Sequence, residues 1–380
     1  MKKKLIRTAT VSSSLDILLK GQLAFLNKNF EVIAVSGQDS HLDKVFSREK
    51  VKTIDIAFKR HINPIQDLIS LFKLYKILKT EKPYIIHSIT PKAGLLSMIA
   101  GFFARVPIRI HTFTGLIFQT KTGFSKSFFI FMDRLLCRFA THIFPEGNGV
   151  KNDLINFKIT SKPLKIIANG NINGIDLNYF NPDLFSEIDK NMLKQNLNIS
   201  ENDFVFIYVG RLVTDKGINE LVKAFDNLKK ENSNTKLLLV GNFENDLDPL
   251  LPETYEILNK NQSIISVGFQ DDVRPYFAVA NALVFPSYRE GFPNVVLQAG
   301  AMNLPSIVTN INGCNEIIQD DFNGIIIESQ NESALYEAMQ LFLNDKELVL
   351  KLSSNSKENV LQRFEQSLVW NALLEEYYKL

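Results

Sequence analysis

Short apolar runs alternate along this chain with longer segments whose apolar positions recur at helical spacing. In PIQDLISLFKLYKILKT the apolar positions recur at intervals of three and four: Ile65, Leu68, Ile69 and Phe72. This spacing predicts a helix, and Pro64 suits its first turn. The short runs predict strands: LIRTATV, EVIAVSG, VKTIDIAF, YIIHSI, IRIHTF and HIFPEG in the first half, then FVFIYVG, KLLLVG, SIISVGF, ALVFPS, PSIVTN and GIIIES.

Nearly continuous apolar strands that alternate with helices are typical of parallel sheets covered on both faces. Two such series predict an α/β chain with two doubly wound domains. The length of 380 residues agrees, since single cores rarely exceed about 250–300 residues. The polar stretch NFKITSKPLKIIANGNINGID, residues 156–176, marks the boundary. We predict domains at 1–165 and 166–360, with a final helix at 361–380 that packs back toward the first domain.

Composition excludes several classes of protein. The net charge of +2 gives no reason to expect nucleic-acid binding, and two distant cysteines give neither a disulfide framework nor a metal cluster. The N-terminus is basic but no apolar run follows it, because Arg7 interrupts the only candidate, so no signal peptide is expected. The longest uncharged apolar stretch, AGLLSMIAGFFA, is too short for a bilayer, which takes about 20 residues. We therefore expect a cytoplasmic protein.

Charged residues follow two of the predicted strands, at the edge where parallel sheets bind ligands. After FVFIYV, the loop GRLVTDKG carries Arg211 and Lys216, and Gly217 opens the next helix. Two cations beside a helix N-terminus suit a diphosphate. The alternative is that both are solvated loop cations, and alone they would favour that interpretation.

A carboxylate follows the strand ALVFPS. Glu290 precedes Gly291 and Pro293, and the N–H groups around Phe292 to Val295 would be free for a ligand. Beside such donors, Glu290 suits sugar hydroxyls better than a phosphate. Gln298 lies about 7–8 Å further along the helix, roughly the distance from phosphate to ribose. The alternative is that Glu290 is only a favourable charge at a helix N-terminus, worth about 0.3–1 kcal/mol.

These motifs resemble the retaining glycosyltransferases of family 4. The resemblance covers nearly the whole chain and is strongest from residue 207 to 323. It is carried by GRLVTDKG, PSYREGFPNVVLQAGAMNLP, NGID, INGCNEII and NGIII. It implies the GT-B fold, with two Rossmann-like domains facing across a cleft that closes about residues 156–176. The first would bind acceptor and the second a nucleotide sugar. HSITPKAGLL and HTFTGLIF are similar to the branch that builds bacterial surface polysaccharides or lipid-linked oligosaccharides.

The resemblance also implies roles for residues of the second domain. Arg211 and Lys216 would bind the donor diphosphate without a metal ion, and Glu290 would be the first glutamate of the family's Glu-seven residues-Glu pattern. Gln298 stands where the second glutamate holds the ribose, so we expect weaker nucleotide binding but not loss of activity. The full set of expected catalytic and donor-binding residues is Arg211, Lys216, Glu290, Gly291, Phe292, Pro293, Asn294, Gln298 and Gly268.

The first domain departs from the family in two places. Thr114, before Gly115, stands where many relatives have a histidine, and the usual glycine-rich loop is reduced to VSSSLDILLKG with Gly21 alone. Ser12 to Ser14 would take its place. His87, at the end of YIIHSI, either faces the cleft or is structural. The weaker candidates for the acceptor side are Ser13, Gly21, His87, Thr114 and Gly115.

The implied reaction moves a hexose or N-acetylhexosamine, with retention, from a UDP-linked donor to a polyprenyl-diphosphate-linked acceptor. An NAD-dependent dehydrogenase is disfavoured because Gly-x-Gly-x-x-Gly is absent. A sugar-nucleotide epimerase or hydrolase, or a noncatalytic nucleotide-sugar binder, stays open.

The segment KTGFSKSFFIFMDRLLCRFATHIF, residues 121–144, interleaves aromatic and basic residues. Phe128, Phe129 and Phe131 spread around a helical turn, more widely than one buried face requires. Basic residues beside exposed aromatics suit a helix lying on an anionic membrane. We therefore expect peripheral association with the inner face of the cytoplasmic membrane. The alternative is a helix that simply packs on the sheet.

Overall fold

The chain divides into two compact α/β units in a computed structural model, which describes residues 2–58, 63–244, 246 and 248–380. The first unit comprises Met1–Gly174 and Gln366–Leu380, and the second comprises Ile175–Glu365. Each unit contains one sheet of six parallel strands, in the order β3-β2-β1-β4-β5-β6 and β12-β11-β10-β7-β8-β9. All of the predicted strands are present, and the doubly wound α/β class is confirmed.

The strands of the first unit are β1 (Lys4–Thr8), β2 (Glu31–Ser36), β3 (Lys52–Asp55), β4 (Ile85–Ser88), β5 (Ile108–Phe113) and β6 (His142–Pro145). The helices are α1 (Ser12–Leu18), α2 (Gln22–Asn27), α3 (Ser40–Glu49), α4 (Pro64–Glu81), α5 (Pro91–Ala104), α6 (Gly123–Phe139) and α7 (Asn148–Asn156). Successive strand residues point to opposite faces. One face of the sheet forms a core with α4 to α7, and the other forms a core with α1 to α3.

The strands of the second unit are β7 (Phe204–Val209), β8 (Thr235–Val240), β9 (Ile264–Ser266), β10 (Ala282–Phe285), β11 (Ser306–Thr309) and β12 (Gly324–Ile327). The helices are α8 (Glu187–Asn196), α9 (Ile218–Glu231), α10 (Pro252–Lys260), α11 (Arg274–Ala278), α12 (Asn294–Ala301), α13 (Cys314–Ile317), α14 (Glu332–Asn344) and α15 (Lys346–Phe364), and α16 (Gln366–Lys379) returns to the first unit. A single apolar core fills the second unit.

The end of the chain differs from the prediction. Helix α15 continues to Phe364, and α16 begins only at Gln366 because Glu365 adopts an extended conformation with ψ of 139°. Helix α16 is part of the first unit, where the Trp370 indole donates to Asn173 Oδ1 at 2.7 Å. The predicted helix at 361–380 therefore starts too early.

The domain boundary also lies later than predicted. Residues 166–174 belong to the first unit, because polar contacts tie them to α2 and to the loop before it. Gln22 Nε2 donates to the Ile172 carbonyl at 2.8 Å, and Asn173 Nδ2 donates to the Lys20 carbonyl at 3.0 Å. A polar, asparagine-rich sequence is typical of a linker, but here hydrogen bonds such as that of Asn173 fix the segment against the first unit.

The predicted apolar stripe of α4 does not pack into the core. Helix α4 buries Ser70, Leu74 and Leu78, which lie on the opposite side from the stripe. The stripe residues are all exposed: Ile65, Leu68, Ile69 and Phe72. The spacing correctly predicted a helix, but the helix has apolar residues on two sides and the sheet covers only one. Among the described residues, no helix is long and apolar enough to cross a membrane.

Candidate functional site

The carboxyl ends of the parallel strands in the second unit bring three loops together. The loop after β7 approaches the loop after β10 so closely that a Cβ at Gly217 would lie 2.1 Å from the Pro286 carbonyl oxygen. The loop after β11 meets the same region, since a Cβ at Gly313 would lie 2.5 Å from the Gly291 carbonyl oxygen. Both glycines have positive φ, 71° and 76°, so glycine is needed for conformation and for space. These contacts place Lys216 beside Glu290.

Lys216 and Glu290 form a largely buried ion pair with a serine between them. Lys216 Nζ donates to Glu290 Oε1, and the two side chains are only 14% and 18% exposed. The Ser287 hydroxyl, fully buried, donates to Glu290 Oε1 at 3.0 Å. Thr309 in turn donates to the Ser287 carbonyl. The Glu290 carboxylate is therefore held by Lys216 after β7 and Ser287 after β10, and Thr309 at the end of β11 fixes the Ser287 backbone.

Arg211 has a carboxylate partner of its own. Arg211 Nη1 donates to Glu244 Oε2 at 2.7 Å, and the Tyr208 hydroxyl donates to the Arg211 carbonyl at 3.0 Å. Partial burial lowers the pKa of the Arg211 guanidinium, but the hydrogen bond and charge of Glu244 outweigh burial and leave this pKa raised. The Arg211 side chain is still half exposed, so its other nitrogens are open to a ligand.

The turn into α12 is the segment whose backbone was predicted to bind an anion. Pro293 is the N-cap, one residue earlier than a first-turn position, and Asn294 is the first helical residue. A proline side chain accepts no hydrogen bond, so it does not cap the N–H groups of this turn. Phe292 is buried and its ring lies 5.6 Å from that of Phe364. Phe292 therefore anchors the loop and offers a ligand only its backbone.

Two predicted donor residues lie further from the ion pair. Gln298 is the fifth residue of α12, half-buried, and its side chain makes no hydrogen bond with the described residues. Gly268 follows β9, two strands from β7, and its carbonyl accepts a hydrogen bond from the Gly241 N–H at 2.9 Å. Gly268 thus holds the backbone at the end of β8 through this hydrogen bond. Gly268 lies just after the end of its strand, and neither residue hydrogen-bonds with Lys216 or Glu290 in the described part of the chain.

The sequence analysis missed one ion pair and one hydrogen bond that complete this region. Arg289 Nη2 donates to Asp215 Oδ2 at 2.6 Å, and the Tyr288 hydroxyl donates to Glu220 Oε1 at 2.7 Å. Burial, together with the Glu220 carboxylate, raises the pKa of Tyr288. A signal was present, because Asp215 precedes Lys216 and Arg289 precedes Glu290, so both loops carry one acid beside one base.

In the first unit, two of the acceptor candidates lie in or beside the short helices α1 and α2. Ser13 lies in the first turn of α1, so VSSSLDILLKG begins a helix and does not form the expected loop. Gly21 has φ of 82°, and a Cβ there would lie 2.7 Å from the Trp370 ring. Gly21 is therefore required by the packing of α16, a contact that the local sequence does not reveal.

His87 is a core residue and does not line an open surface. It is 1% exposed, with Nδ1 2.5 Å from the Tyr377 hydroxyl and Nε2 2.7 Å from Thr112 Oγ1. Burial, and then the charge of nearby Arg7, lower the pKa of His87 well below its usual value. His87 is therefore neutral at ordinary pH, and the structural alternative was right.

Threonine hydroxyls follow three strands, β1, β4 and β5, at the carboxyl edge of the first sheet. Thr114 Oγ1 donates to the Ile89 carbonyl at 3.2 Å, and Gly115 next to it has φ of 140°. Thr10 and Thr90, which the sequence analysis missed, lie 2.8 Å apart through their hydroxyl oxygens. This edge offers neutral hydroxyls, whereas the corresponding edge of the second unit offers cations.

Comparison with known proteins identifies both halves of the chain. Residues 189–359 match the family model "Glycosyl transferases group 1", and residues 11–146 match "Glycosyl transferase 4-like". The chain is 32% identical over 378 residues to the capsular polysaccharide biosynthesis glycosyltransferase CapM of Staphylococcus aureus, covering 99% of this chain and 97% of CapM.

Two further proteins extend the comparison. The chain is 31% identical over 312 residues to an Escherichia coli UDP-Gal:alpha-D-GlcNAc-diphosphoundecaprenol alpha-1,3-galactosyltransferase, covering 80% of this chain and 78% of that enzyme. The crystal structure of Anabaena Alr3699/HepE in complex with UDP superposes with a TM-score of 0.81 at 18% identity and covers all of both chains. The likeness to HepE concerns the fold.

Proposed function

The chain belongs to the group 1, family-4-like glycosyltransferases and has the GT-B fold predicted from its sequence, and from this premise we propose which sugar transfer it performs. It moves a hexose or N-acetylhexosamine from a UDP-sugar to a sugar linked to a polyprenyl diphosphate, in polysaccharide or oligosaccharide synthesis. The observation that carries the proposal is the cluster of Arg211, Lys216 and Glu290 at the strand ends of the second unit.

The substrate classes in this proposal are supported by the relatives. The Escherichia coli relative is named for a UDP-galactose donor and a diphosphoundecaprenol-linked acceptor. A Campylobacter jejuni relative, 27% identical over 363 residues, is named for a diphospho-undecaprenol-linked acceptor. We extend to this chain the chemical classes, a UDP-sugar and a lipid diphosphate, and leave the particular sugar to experiment.

We propose that transfer retains the anomeric configuration. The acceptor hydroxyl attacks C1 of the donor sugar on the face that the phosphate leaves, and a new C1–oxygen bond forms as the C1–phosphate bond breaks. The acceptor proton passes to an oxygen of the departing diphosphate. Arg211 and Lys216 stabilise the charge that develops on that group, while Glu290 holds Lys216 and accepts hydrogen bonds from the donor sugar.

We infer that transfer needs no divalent metal ion, because two protein cations are placed to do its work on the diphosphate. Turnover should therefore be the same, within about twofold, in excess EDTA and in millimolar Mg²⁺. The comparison should use protein that has been treated with chelator and then freed of it. Loss of activity in EDTA that Mg²⁺ or Mn²⁺ restores would overturn this inference.

Gln298 should tune donor binding without being essential. Gln298→Glu supplies a charged acceptor for the ribose hydroxyls, and charge-assisted hydrogen bonds are about twice as strong as neutral ones. We expect UDP to bind several-fold more tightly to this variant, with activity retained, as isothermal titration calorimetry and a transfer assay would measure. Weaker UDP binding to Gln298→Glu than to Gln298→Ala would show that Gln298 does not face the ribose.

We propose that the enzyme works at the inner face of the cytoplasmic membrane, with α6 contributing to contact. Phe124 is 87% exposed and Phe131 57%, while Leu136 is buried. Lys126 lies over the Phe157 ring, with 4.8 Å from Nζ to the ring centroid, so its charge stays beside an aromatic surface. The outward face of α6 is thus narrower than the sequence predicted, because Leu136 packs inward. The residues that remain exposed on this face are still aromatic and basic.

Charge reversal tests the contribution of α6. Lys121→Glu with Lys126→Glu should reduce binding to anionic vesicles at low salt, since each basic contact is worth about 1 kcal/mol near such a surface. Vesicle flotation would measure this, with Lys260→Glu on α10 as the matched control because its side chain is 77% exposed in the other unit. Unchanged flotation of the double variant would remove α6 from the contact.

The donor can be identified with a panel of nucleotide sugars. We expect UDP-sugars to raise the melting temperature more than GDP-, ADP- or dTDP-sugars do, because ligands that bind only the folded state stabilise it. The stabilising compounds should then support transfer to a short-chain prenyl-diphosphate-linked sugar. Stabilisation by a nucleotide sugar without transfer to any such acceptor would favour a noncatalytic binder.

A further inference from the structure

Helix α4 presents an apolar face to solvent that the core does not use. Its members recur at helical spacing along the first half of the helix: Ile65, Leu68, Ile69 and Phe72. Their exposed fractions run from 45% to 76%, so no member of this α4 stripe is buried. Exposed apolar residues usually occur singly, and a contiguous stripe indicates a binding surface.

The same face of α4 becomes basic along its second half. Lys76 and Lys79 continue the row at positions i+11 and i+14 from Ile65, and Lys73 follows Phe72. All three lysines are exposed, and Lys79 Nζ lies 5.8 Å from the Tyr75 ring centroid. The face therefore offers aliphatic and aromatic side chains first and positive charges after them.

The acidic residues of α4 point elsewhere. Asp67 accepts from Lys92 Nζ at 2.9 Å, and Glu81 accepts from Lys4 Nζ at 2.7 Å and from Lys52 Nζ at 2.6 Å. These pairs join α4 to its own unit, so the outward face keeps its cations without acids among them. Such a face complements an anionic surface and not a neutral one.

The neighbouring helices extend this character. Helix α5 contacts both α4 and α6 in one layer over the sheet. On α6, Phe124 and Phe131 are exposed, and on α5 the exposed Phe102 and Phe103 lie in the last turn, toward the lysine end of α4. Helix α4 follows β3, so the stripe begins on the side of the first unit that holds the carboxyl edge of its sheet.

We propose that the α4 stripe inserts into the surface of an anionic bilayer and is the principal membrane contact of this protein. This inference rests on the proposed function, because a lipid-linked acceptor would lie in that bilayer. Ile65, Leu68, Ile69 and Phe72 enter the boundary between headgroups and acyl chains, and Lys73, Lys76 and Lys79 lie against anionic headgroups.

The native cysteines allow a direct test. Cys137 and Cys314 are 2% and 0% exposed, so a thiol-reactive probe should label an added surface cysteine selectively. Phe72→Cys would carry the environment-sensitive dye NBD, and Leu350→Cys, at a 71% exposed position on α15, would be the control. We expect the emission at position 72 to shift to the blue with phosphatidylglycerol vesicles and far less with phosphatidylcholine vesicles. Position 350 should not respond.

Transfer assays separate this inference from the function on which it rests. The triple variant Ile65→Ser, Leu68→Ser, Phe72→Ser should keep wild-type transfer to a water-soluble short-chain acceptor, but lose about tenfold or more with a long-chain acceptor in anionic vesicles. Leu350→Ser should lose neither. If wild-type protein fails with the soluble acceptor, the proposed function fails, and the NBD experiment still decides the surface.

Three results would overturn the membrane assignment. The first is no blue shift at position 72 with anionic vesicles, and the second is an equal shift with neutral ones. The third is a shift that follows protein concentration without vesicles, accompanied by a dimer in light scattering, which would assign the α4 stripe to a second copy of this chain.

Discussion

Replacing Lys216 by alanine should lower the rate of sugar transfer by about 10²-fold or more, and Arg211→Ala should do the same. Lys216 is held against Glu290 in a largely buried position, so its charge acts where little solvent screens it. Loss of the cation leaves the departing diphosphate without this stabilisation. Initial rates at saturating donor would measure the effect on kcat, and calorimetry with UDP would measure the effect on binding.

The controls for this prediction separate charge from folding. Lys230→Ala removes a 67% exposed lysine from α9 of the same unit and should leave the rate unchanged. Arg211→Lys keeps the charge, but a lysine cannot donate two parallel hydrogen bonds to one phosphate. The rate of this variant should therefore lie between those of the wild type and Arg211→Ala. Near-normal turnover in both Lys216→Ala and Arg211→Ala would remove the diphosphate assignment.

Replacing Glu290 should have an effect of similar size. Glu290→Gln keeps the shape but removes the charge that holds Lys216, and Glu290→Ala also removes the acceptor of the Ser287 hydroxyl. We expect kcat to fall by about 10²-fold in both variants. Glu256→Gln on α10, whose side chain is 68% exposed, is the matched control and should be neutral.

Comparison with Gln298 decides whether the roles are assigned correctly. If Gln298→Ala abolishes turnover while Glu290→Ala does not, the ribose and sugar contacts are reversed. The melting temperature of each variant should be measured as well, because Glu290 belongs to a buried ion pair. Breaking such a pair strands the other charge and destabilises the fold.

Each of the three charged residues predicted for the donor site pairs with a side chain of opposite charge. Arg211 pairs with Glu244, and Lys216 pairs with Glu290. A diphosphate must therefore share or replace these carboxylates. Such pairing holds the cationic side chains in place, so less conformational entropy is lost when the donor arrives.

The sequence predicted the sheets, and the edge at which Arg211, Lys216 and Glu290 lie, because both depend on local information. Each strand is a nearly continuous apolar run, and parallel strands place the residues that follow them at one edge. GRLVTDKG and PSYREG could therefore be assigned to that edge. Their meeting depends on Gly217 and Gly313, whose close contacts with Pro286 and Gly291 join distant parts of the chain.

The features that the sequence did not predict depend on packing between elements that are far apart in the chain. Gly21 must be a glycine because the Trp370 ring packs against it, and His87 hydrogen-bonds with Tyr377. Trp370 and Tyr377 both belong to α16, near the end of the chain. The spacing of the α4 stripe predicted a helix, but spacing alone does not show which side of the helix packs on the sheet. Helix α4 is apolar on two sides, and only the structure distinguishes them.

The most direct test of the central claim follows both products of one reaction by NMR. The protein would be mixed with the stabilising UDP-sugar and a prenyl-diphosphate-linked sugar, and UDP release would be measured beside the anomeric proton of the new linkage. We predict one UDP for each glycosidic bond formed, no UDP release at a comparable rate without acceptor, and an α-anomeric signal from an α-linked donor. Equal UDP release without acceptor, conversion of the sugar while it stays attached to UDP, or a β-anomeric product would contradict a retaining glycosyltransferase.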